Sequence, residues 1–183
     1  QDPENSRWQR NKHFLDYQQF RINAASDIEH VEQTLTVLAN RLNAQKMVLS
    51  SANYKDIMAR LWLTAAEQLQ AIGQFMPSKK YADLAYVSFA ELAEQYKQNP
   101  IYNAALSDSQ LLQAKVLMAE DKAGAAINLC RQTQDRLAVI TEKNKEPRYL
   151  ITYAKALDCQ GELKKHSDII AMLKQNGIVN YYF

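Results

Sequence analysis

The stretch Ala156–Leu163, with the sequence ALDCQGEL, decides the fold because it has two counterparts earlier in the chain. These counterparts are LQAIGQF at residues 69–75 and LMAEDKAG at residues 117–124. Each phrase lies between two segments that carry an apolar stripe at helical spacing, so each predicts a turn between two helices. Recurring helical hairpins are typical of stacked repeats, in which every unit buries its apolar face against the next unit.

The composition is that of a helical globular chain. Of 183 residues, 47% are hydrophobic and 23% are charged, and only four are Gly and four Pro. A β-rich fold would need more of these turn residues, whereas the abundant Ala, Leu, Gln, Lys and Glu favour helices. The length suits one domain or two very small ones. We therefore predict an all-α fold with about seven to nine helices.

Charge and hydropathy exclude two classes of partner. The formal net charge is +2, and Lys and Arg are interspersed with Asp and Glu, so the chain lacks the basic surface of a nucleic-acid-binding protein. No apolar stretch approaches the roughly 20 residues that a membrane span needs. Because the chain begins with Gln, we interpret it as a fragment or processed form of a larger protein, and its compartment stays open.

Apolar periodicity predicts two regions. Residues 1–50 form an N-terminal, aromatic-rich helical segment, in which the large side chains of about Asn5–Ile22 share one helix face. Ser26 and Asp27 are candidate caps of a second helix in this region. Because no Gly or Pro separates the two segments, one long bent helix is the alternative. Residues 51–183 form the array of helical hairpins and end in an apolar tail, 178–183, which we expect to cover the last hairpin.

Prolines divide the array. Met76-Pro77-Ser78 predicts a break, with Ser78 capping the following helix. Asn99-Pro100 predicts the end of that helix, and the next helix is predicted over about Asp108–Ala119. The polar run before Pro147 predicts a loop whose proline starts another helix.

The two cysteines leave alternatives open. Cys130 suits an apolar helix position, where a free thiol behaves as a small hydrophobe. Adjacent hairpins would also let Cys130 pair with Cys159 as a disulfide in an oxidising compartment. A nucleophilic pair of Cys159 with His166 would need a third, orienting group and an oxyanion site.

No motif predicts catalysis, a metal or a cofactor. The three histidines, His13, His30 and His166, include no pair at the i, i+4 spacing of a helical zinc site. Four isolated glycines cannot build a phosphate-binding loop. The aromatic residues fall on the apolar stripes, which favours a role in the core. We therefore predict a chain that is not an enzyme and uses no cofactor.

The third hairpin resembles a tetratricopeptide repeat. Its turn contains Gly161-Glu162-Leu163, and Ile170 and Leu173 supply later positions of the repeat, although His166 stands where a small residue is usual. The second unit offers Ala125, Leu129 and Gln132, with Glu120 where Gly is common. The first has Gly73-Gln74-Phe75 followed by Ala85, Phe89 and Leu92.

The spacing of these units marks a divergent relative of that family. The turns lie 47 residues (73 to 120) and 41 residues (120 to 161) apart, against roughly 34 in the family. The resemblance covers about residues 54–177 and implies a right-handed stack of antiparallel hairpins. It also implies that the first helix of each hairpin lines a concave groove for a protein or peptide. The candidate partner-binding residues are Arg60, Glu67, Gln70, Gln110, Gln113, Arg148, Lys155 and Asp158.

The end of the chain resembles the final hairpin of repeat regions attached to bacterial protein kinases and winged-helix regulators. Gln175-Asn176-Gly177-Ile178 and Tyr182-Phe183 carry this likeness. It implies a non-enzymatic interaction or sensory domain of a larger bacterial signalling or regulatory protein. The alternatives are a structural module that self-associates through the N-terminal helix and a helical regulator that senses a small molecule.

Overall fold

A computed structural model describes residues 3–24, 30–47 and 49–178. Within these ranges the chain forms eight α-helices and no strand, which confirms the predicted all-α fold. The helices are α1 (Pro3–Ala24), α2 (Val31–Ala44), α3 (Ser51–Ala71), α4 (Phe75–Gln95), α5 (Pro100–Ala119), α6 (Ala123–Lys143), α7 (Pro147–Cys159) and α8 (Leu163–Gln175). None of these helices is both long and apolar enough to cross a membrane. The predicted caps Ser26 and Asp27, and the tail beyond Ile178, lie outside the described residues.

Contacts divide the chain into two units, Gln1–Tyr96 and Lys97–Phe183. In the first unit, α1 and α2 both pack against α3, and α3 packs against α4. In the second unit, each helix from α5 to α8 packs against the next one, and α5 also contacts α7. The division predicted at residue 50 therefore falls inside the first unit, because the two N-terminal helices have α3 as their packing partner.

The three quoted phrases form turns with the same backbone geometry. Each connects two helices through three residues, 72–74, 120–122 or 160–162. The middle residues of the turns, Gly73, Asp121 and Gly161, have positive φ angles of 76°, 59° and 75°. The residue after each one donates its backbone N–H to the carbonyl five residues earlier, at 2.8–2.9 Å. This is the Schellman motif, which satisfies carbonyls at the end of a helix.

Replacing Asp121 with Gly is expected to raise the free energy of unfolding by about 0.5 kcal/mol, because a side chain strains the left-handed backbone and glycine does not. The turn position equivalent to the two glycines is thus Asp121 and not Glu120.

Gly161→Ala is expected to lower the free energy of unfolding by about 1 kcal/mol from backbone strain alone, since an added Cβ there meets no atom within 4 Å. Urea unfolding measures both changes, and equal effects of the same sign would contradict this account.

The predicted break at Pro77 is wrong. Pro77 is the third residue of α4, and the first residues of a helix have no intrahelical partner for their N–H groups, so proline is tolerated there. Ser78 is buried and does not cap a helix. Its hydroxyl donates to the carbonyl of Ala66 on α3 at 2.8 Å, which fixes the contact between the two helices.

The predicted start of the fifth helix is also wrong. Asn99 is the N-cap of α5, where its side chain accepts a hydrogen bond from the N–H of Ile101 at 3.1 Å. Pro100 is the first helical residue. A proline that was expected to end one helix therefore begins the next, eight residues before Asp108.

The stripes of α3 and α4 form the core of the first unit. The buried members of these stripes are Ile57, Leu61, Ala65, Leu69, Ala85, Phe89 and Leu92. Apolar spacing alone would also place Ile72, Leu84 and Tyr96 inside, but they are 43%, 39% and 39% exposed. In the second unit the main core cluster joins α5, α6 and α7, with Ala104, Leu111, Ala114, Ala126, Cys130, Leu137, Tyr149 and Ala156.

Helix α1 carries two apolar stripes and not the single one predicted. Tyr17 and Phe20 are buried, 7% and 3% exposed. Trp8, Leu15 and Ile22 are 59%, 68% and 64% exposed. At about 100° per residue, these three side chains lie on the opposite side of the helix from the buried pair.

Candidate functional site

Helices α5 and α7, the first helices of two consecutive hairpins, meet through a polar contact. The hydroxyl of Thr152 donates to Oδ1 of Asp108 at 2.9 Å, and Thr152 is only 4% exposed. Arg148 and Lys155 lie four residues before and three residues after Thr152, so they share its side of α7. The contact therefore places two of the predicted residues along one surface, which we call the α5/α7 face and define by Asp108, Arg148, Thr152 and Lys155.

Arg148 is held in place at the start of α7. Its Nη2 lies 2.7 Å from Oε2 of Glu146, and its guanidinium lies 5.4 Å from the ring centre of Tyr149. Burial raises the pKa of Tyr149, Arg148 opposes this rise, and Glu146 adds to it. Lys155 is half-buried and Asp158 is exposed near the other end of the helix. This part of α7 thus carries two cations and an acid.

Gln110 does not belong to this surface. It is 3% exposed, and its Oε1 accepts hydrogen bonds from Thr133 at 3.3 Å and from Nη1 of Arg136. Both donors belong to α6, so the side chain of Gln110 points toward α6. The predicted surface position is therefore buried, because two residues along a helix turn the side chain by about 200° relative to Asp108. Gln113, also predicted, is half-buried on α5.

The other three predicted residues lie on α3 in the first unit. Nε of Arg60 pairs with Oδ1 of Asp56 at 2.9 Å. Burial raises the pKa of Asp56, and the positive charges of Arg60 and Arg10 partly offset that rise. Glu67 and Gln70 are half-buried on the same helix. Arg60 is therefore committed to an ion pair within its own helix.

The candidate residues predicted from the sequence do not include Asp108 and Thr152, two members of the α5/α7 face. The sequence predicts that Pro100 ends a helix and that Asp108 starts the next one, so Asp108 is assigned to a helix start and not to a surface. Thr152 lies between Ile151 and Tyr153, in a segment whose apolar stripe gives no sign that a threonine bonds to another helix. Only the contact between α5 and α7 reveals the pair.

The cysteines are joined in a disulfide. Cys130 on α6 and Cys159 at the end of α7 have their Cα atoms 6.0 Å apart and their sulfurs bonded. Cys159 is therefore not a free thiol that His166 could activate. In the described part of the chain no three His, Cys, Asp or Glu side chains are grouped as a metal site would need.

A small polar cleft lies between α1 and α2. Its volume is about 230 Å³, and Lys12, Asp16 and Arg41 line it beside the buried His13. Nε2 of His13 lies 3.1 Å from Oε1 of Gln45. Pockets for small ligands usually have volumes of about 300–1,000 Å³, so a cleft of this size gives little support to the small-molecule alternative.

Tyr81 links α4 to α2, and it makes the free energy of unfolding vary with pH in the alkaline range. Its hydroxyl donates to Oε1 of Glu32 at 2.8 Å, and burial, followed by this hydrogen bond and the carboxylate charge, raises its pKa to about 12. The unfolded chain loses this proton near pH 10. Between these two pKa values the folded state keeps a proton that the unfolded state has lost. The contribution of Tyr81 to the free energy of unfolding is therefore fully present below pH 10 and falls as pH rises to 12.

The stability difference between wild type and Tyr81→Phe is therefore expected to shrink between pH 10 and pH 12. Urea unfolding at pH 9, 10.5 and 12 measures this difference. Because the variant keeps the other tyrosines of the chain, their effect on stability cancels when the two proteins are compared. Glu32→Gln should weaken the effect, since it removes the negative charge beside the phenol. A difference that stays constant over this range would contradict the assignment.

Comparison with known protein families, with curated proteins and with solved structures found no match for this chain. The resemblance of the hairpins to tetratricopeptide repeats therefore stays a prediction.

Proposed function

We propose that this chain is a non-enzymatic, peptide-binding domain of a larger bacterial signalling or regulatory protein. In this proposal its hairpins form a right-handed, tetratricopeptide-like stack. The observation that carries the proposal is the direct contact between α5 and α7, fixed by Thr152 and Asp108. In the family that the hairpins resemble, first helices of successive hairpins stand side by side and line the binding groove. The signalling role is supported by the likeness of the chain end to repeats attached to kinases and regulators.

The chemistry of the α5/α7 face favours an extended peptide that carries carboxylates. Arg148 is exposed, and its guanidinium has five N–H donors in a planar fork that matches a carboxylate. Glu146 and Tyr149 hold this group, so less side-chain freedom is lost when a ligand binds. Each exposed ion pair contributes only about 0.2–1 kcal/mol, so several contacts along α7 are needed together.

The double variant Arg148→Glu plus Lys155→Glu is expected to lose peptide binding. A library of random 12-residue peptides displayed on phage is selected against the wild-type chain, and the enriched peptides are measured against both proteins. We expect enrichment of acidic peptides and at least about a tenfold loss of affinity in the variant, since two attractive contacts become repulsive.

A matched control is Arg131→Glu plus Lys164→Glu, which makes the same change in charge at exposed residues of α6 and α8. It should bind like wild type, and circular dichroism should show that both variants remain folded. Enriched peptides that bind the α7 variant and wild type equally would remove the α5/α7 face from the proposal.

Self-association through α1 is a second candidate, favoured by its exposed stripe. Trp8, Leu15 and Ile22 are spaced by seven residues, so a second copy of α1 in antiparallel orientation can pair Trp8 with Ile22 around a central contact of Leu15 with Leu15. The residues at equal distances from this centre include Asn11 opposite Gln19 and Lys12 opposite Gln18. No like charges meet in these pairs, which suits a contact between two helices.

Light scattering at several concentrations tests this pairing. The wild-type chain should approach a dimer as concentration rises, and Leu15→Lys should remain a monomer because it places two ammonium groups together. Leu163→Lys replaces another exposed leucine, on α8, and should behave like wild type. A wild-type chain that is monomeric at every concentration rejects this candidate without affecting peptide binding.

A further inference from the structure

The disulfide joins the buried core of the second unit to the partly exposed end of α7. Cys130 is 0% exposed and belongs to the cluster that contains Ala126, Leu137 and Ala156. Cys159 is partly buried against the same cluster. The bond closes a loop with a sequence separation of 29 residues and joins the middle of α6 to the last residue of α7.

Polar contacts of Gln160 hold α6 and α7 together beside this bond. The side-chain amide of Gln160 lies 2.6 Å from Oε1 of Gln134 and 3.3 Å from the carbonyl of Cys130, both on α6. It also lies 3.2 Å from the carbonyl of Ala156 on α7. Contacts other than the disulfide therefore hold the end of α7 against the middle of α6. The 6.0 Å between the two Cα atoms lies within the range of an ordinary disulfide.

We propose that the Cys130–Cys159 bond is a structural lock of the α6/α7 hairpin contact, and that the domain completes its folding in an oxidising compartment. Disulfides persist in such compartments and are reduced in others. The lock stabilises the folded state mainly because it restricts the unfolded chain. It also fixes the last turn of α7, which carries Asp158 and leads into the turn before α8.

The burial of the two residues, complete for Cys130 and partial for Cys159, sets the order in which the bond forms. The thiolate of Cys159, which lies at the helix end, attacks one sulfur of a disulfide-bonded oxidant, and the other oxidant sulfur leaves as a thiolate. The thiolate of Cys130 then attacks the Cys159 sulfur of this mixed disulfide and releases the second oxidant sulfur as a thiolate. The two cysteines lose two protons and two electrons, and the oxidant becomes a dithiol.

Thermal unfolding of the whole chain with and without a reductant tests the lock. Once mass spectrometry shows two free thiols, the Tm should be lower by roughly 10 °C or more. The double variant Cys130→Ala plus Cys159→Ala should unfold near the reduced wild type, and the reductant should not change its Tm. A reduced wild type with the Tm of the oxidised chain would overturn the structural role.

Two further measurements test the order of attack and the compartment. With oxidised glutathione, Cys130→Ser should form a mixed disulfide roughly tenfold faster than Cys159→Ser, because only the former keeps the accessible thiol. Equal rates, or faster reaction of Cys159→Ser, would overturn the order. In source cells quenched with acid, a maleimide-polyethylene glycol label should leave the chain unshifted. A chain that gains two labels would overturn the oxidising compartment.

Discussion

Phe89→Ala is expected to lower the free energy of unfolding by about 3–5 kcal/mol. Phe89 is 0% exposed in the middle of α4, which packs against α3. Removing the ring takes away buried apolar area and leaves a cavity that the two long helices can close only partly by moving closer together. Urea unfolding followed by tryptophan fluorescence measures the change, since Trp8 and Trp62 both lie in the first unit.

Leu84→Ala is the matched control on the same helix. Leu84 is 39% exposed, so its loss should lower the free energy of unfolding by no more than about 1 kcal/mol. Comparable effects of the two substitutions would show that α4 packs on α3 through a different face. That result would contradict the core of the first unit as described above.

This pair also shows how far apolar periodicity predicts a core. The spacing of Ala85, Phe89 and Leu92 places them on one side of α4, and all three are buried. Leu84 is apolar too, but it lies about 100° away from Ala85 around the helix. A sequence shows that both residues are apolar, whereas only the position of α3 decides which of them meets a neighbour.

The same limit explains why the single apolar face predicted for α1 is wrong. Its apolar residues fall on both sides of the helix, and the predicted single face combines Tyr17 and Phe20 with the exposed Trp8 and Leu15. The position of α3 decides which side is buried. The turns were easier to predict, because a left-handed residue at the end of a helix depends on local backbone preferences, and Gly73 and Gly161 satisfy them.

Proline and polar side chains caused the remaining errors. A proline is compatible with the end of one helix and with the first turn of another, so local sequence alone does not separate these two roles at Pro100. Gln110 is a predicted groove residue because it lies outside the apolar stripe of a first helix, which the resemblance assigns to the concave side. Burial of such a residue requires partners on another helix, and Thr133 and Arg136 are 23 and 26 residues away in sequence.

Gln110→Met is expected to lower the free energy of unfolding by about 2–4 kcal/mol. The methionine side chain has nearly the shape of glutamine, so the loss comes from the missing acceptor and not from a cavity. Thr133, 0% exposed, loses the oxygen that its hydroxyl bonds to, and the cation of Arg136 loses one charge-assisted hydrogen bond. A buried donor without its acceptor costs about 1–3 kcal/mol, and a bond to a charged group contributes about 1.5–3.

Gln113→Met on the same helix is the matched control, and it separates a role of Gln110 in folding from a role in binding. Gln113 is only half-buried, so its substitution should change the free energy of unfolding, measured by urea titration with circular dichroism, by less than about 1 kcal/mol. If Gln110→Met were as stable as Gln113→Met, the network between α5 and α6 would not stabilise the fold. If it is much less stable, any loss of peptide binding in that variant reflects unfolding of the second unit, and only Arg148 and Lys155 variants test the α5/α7 face.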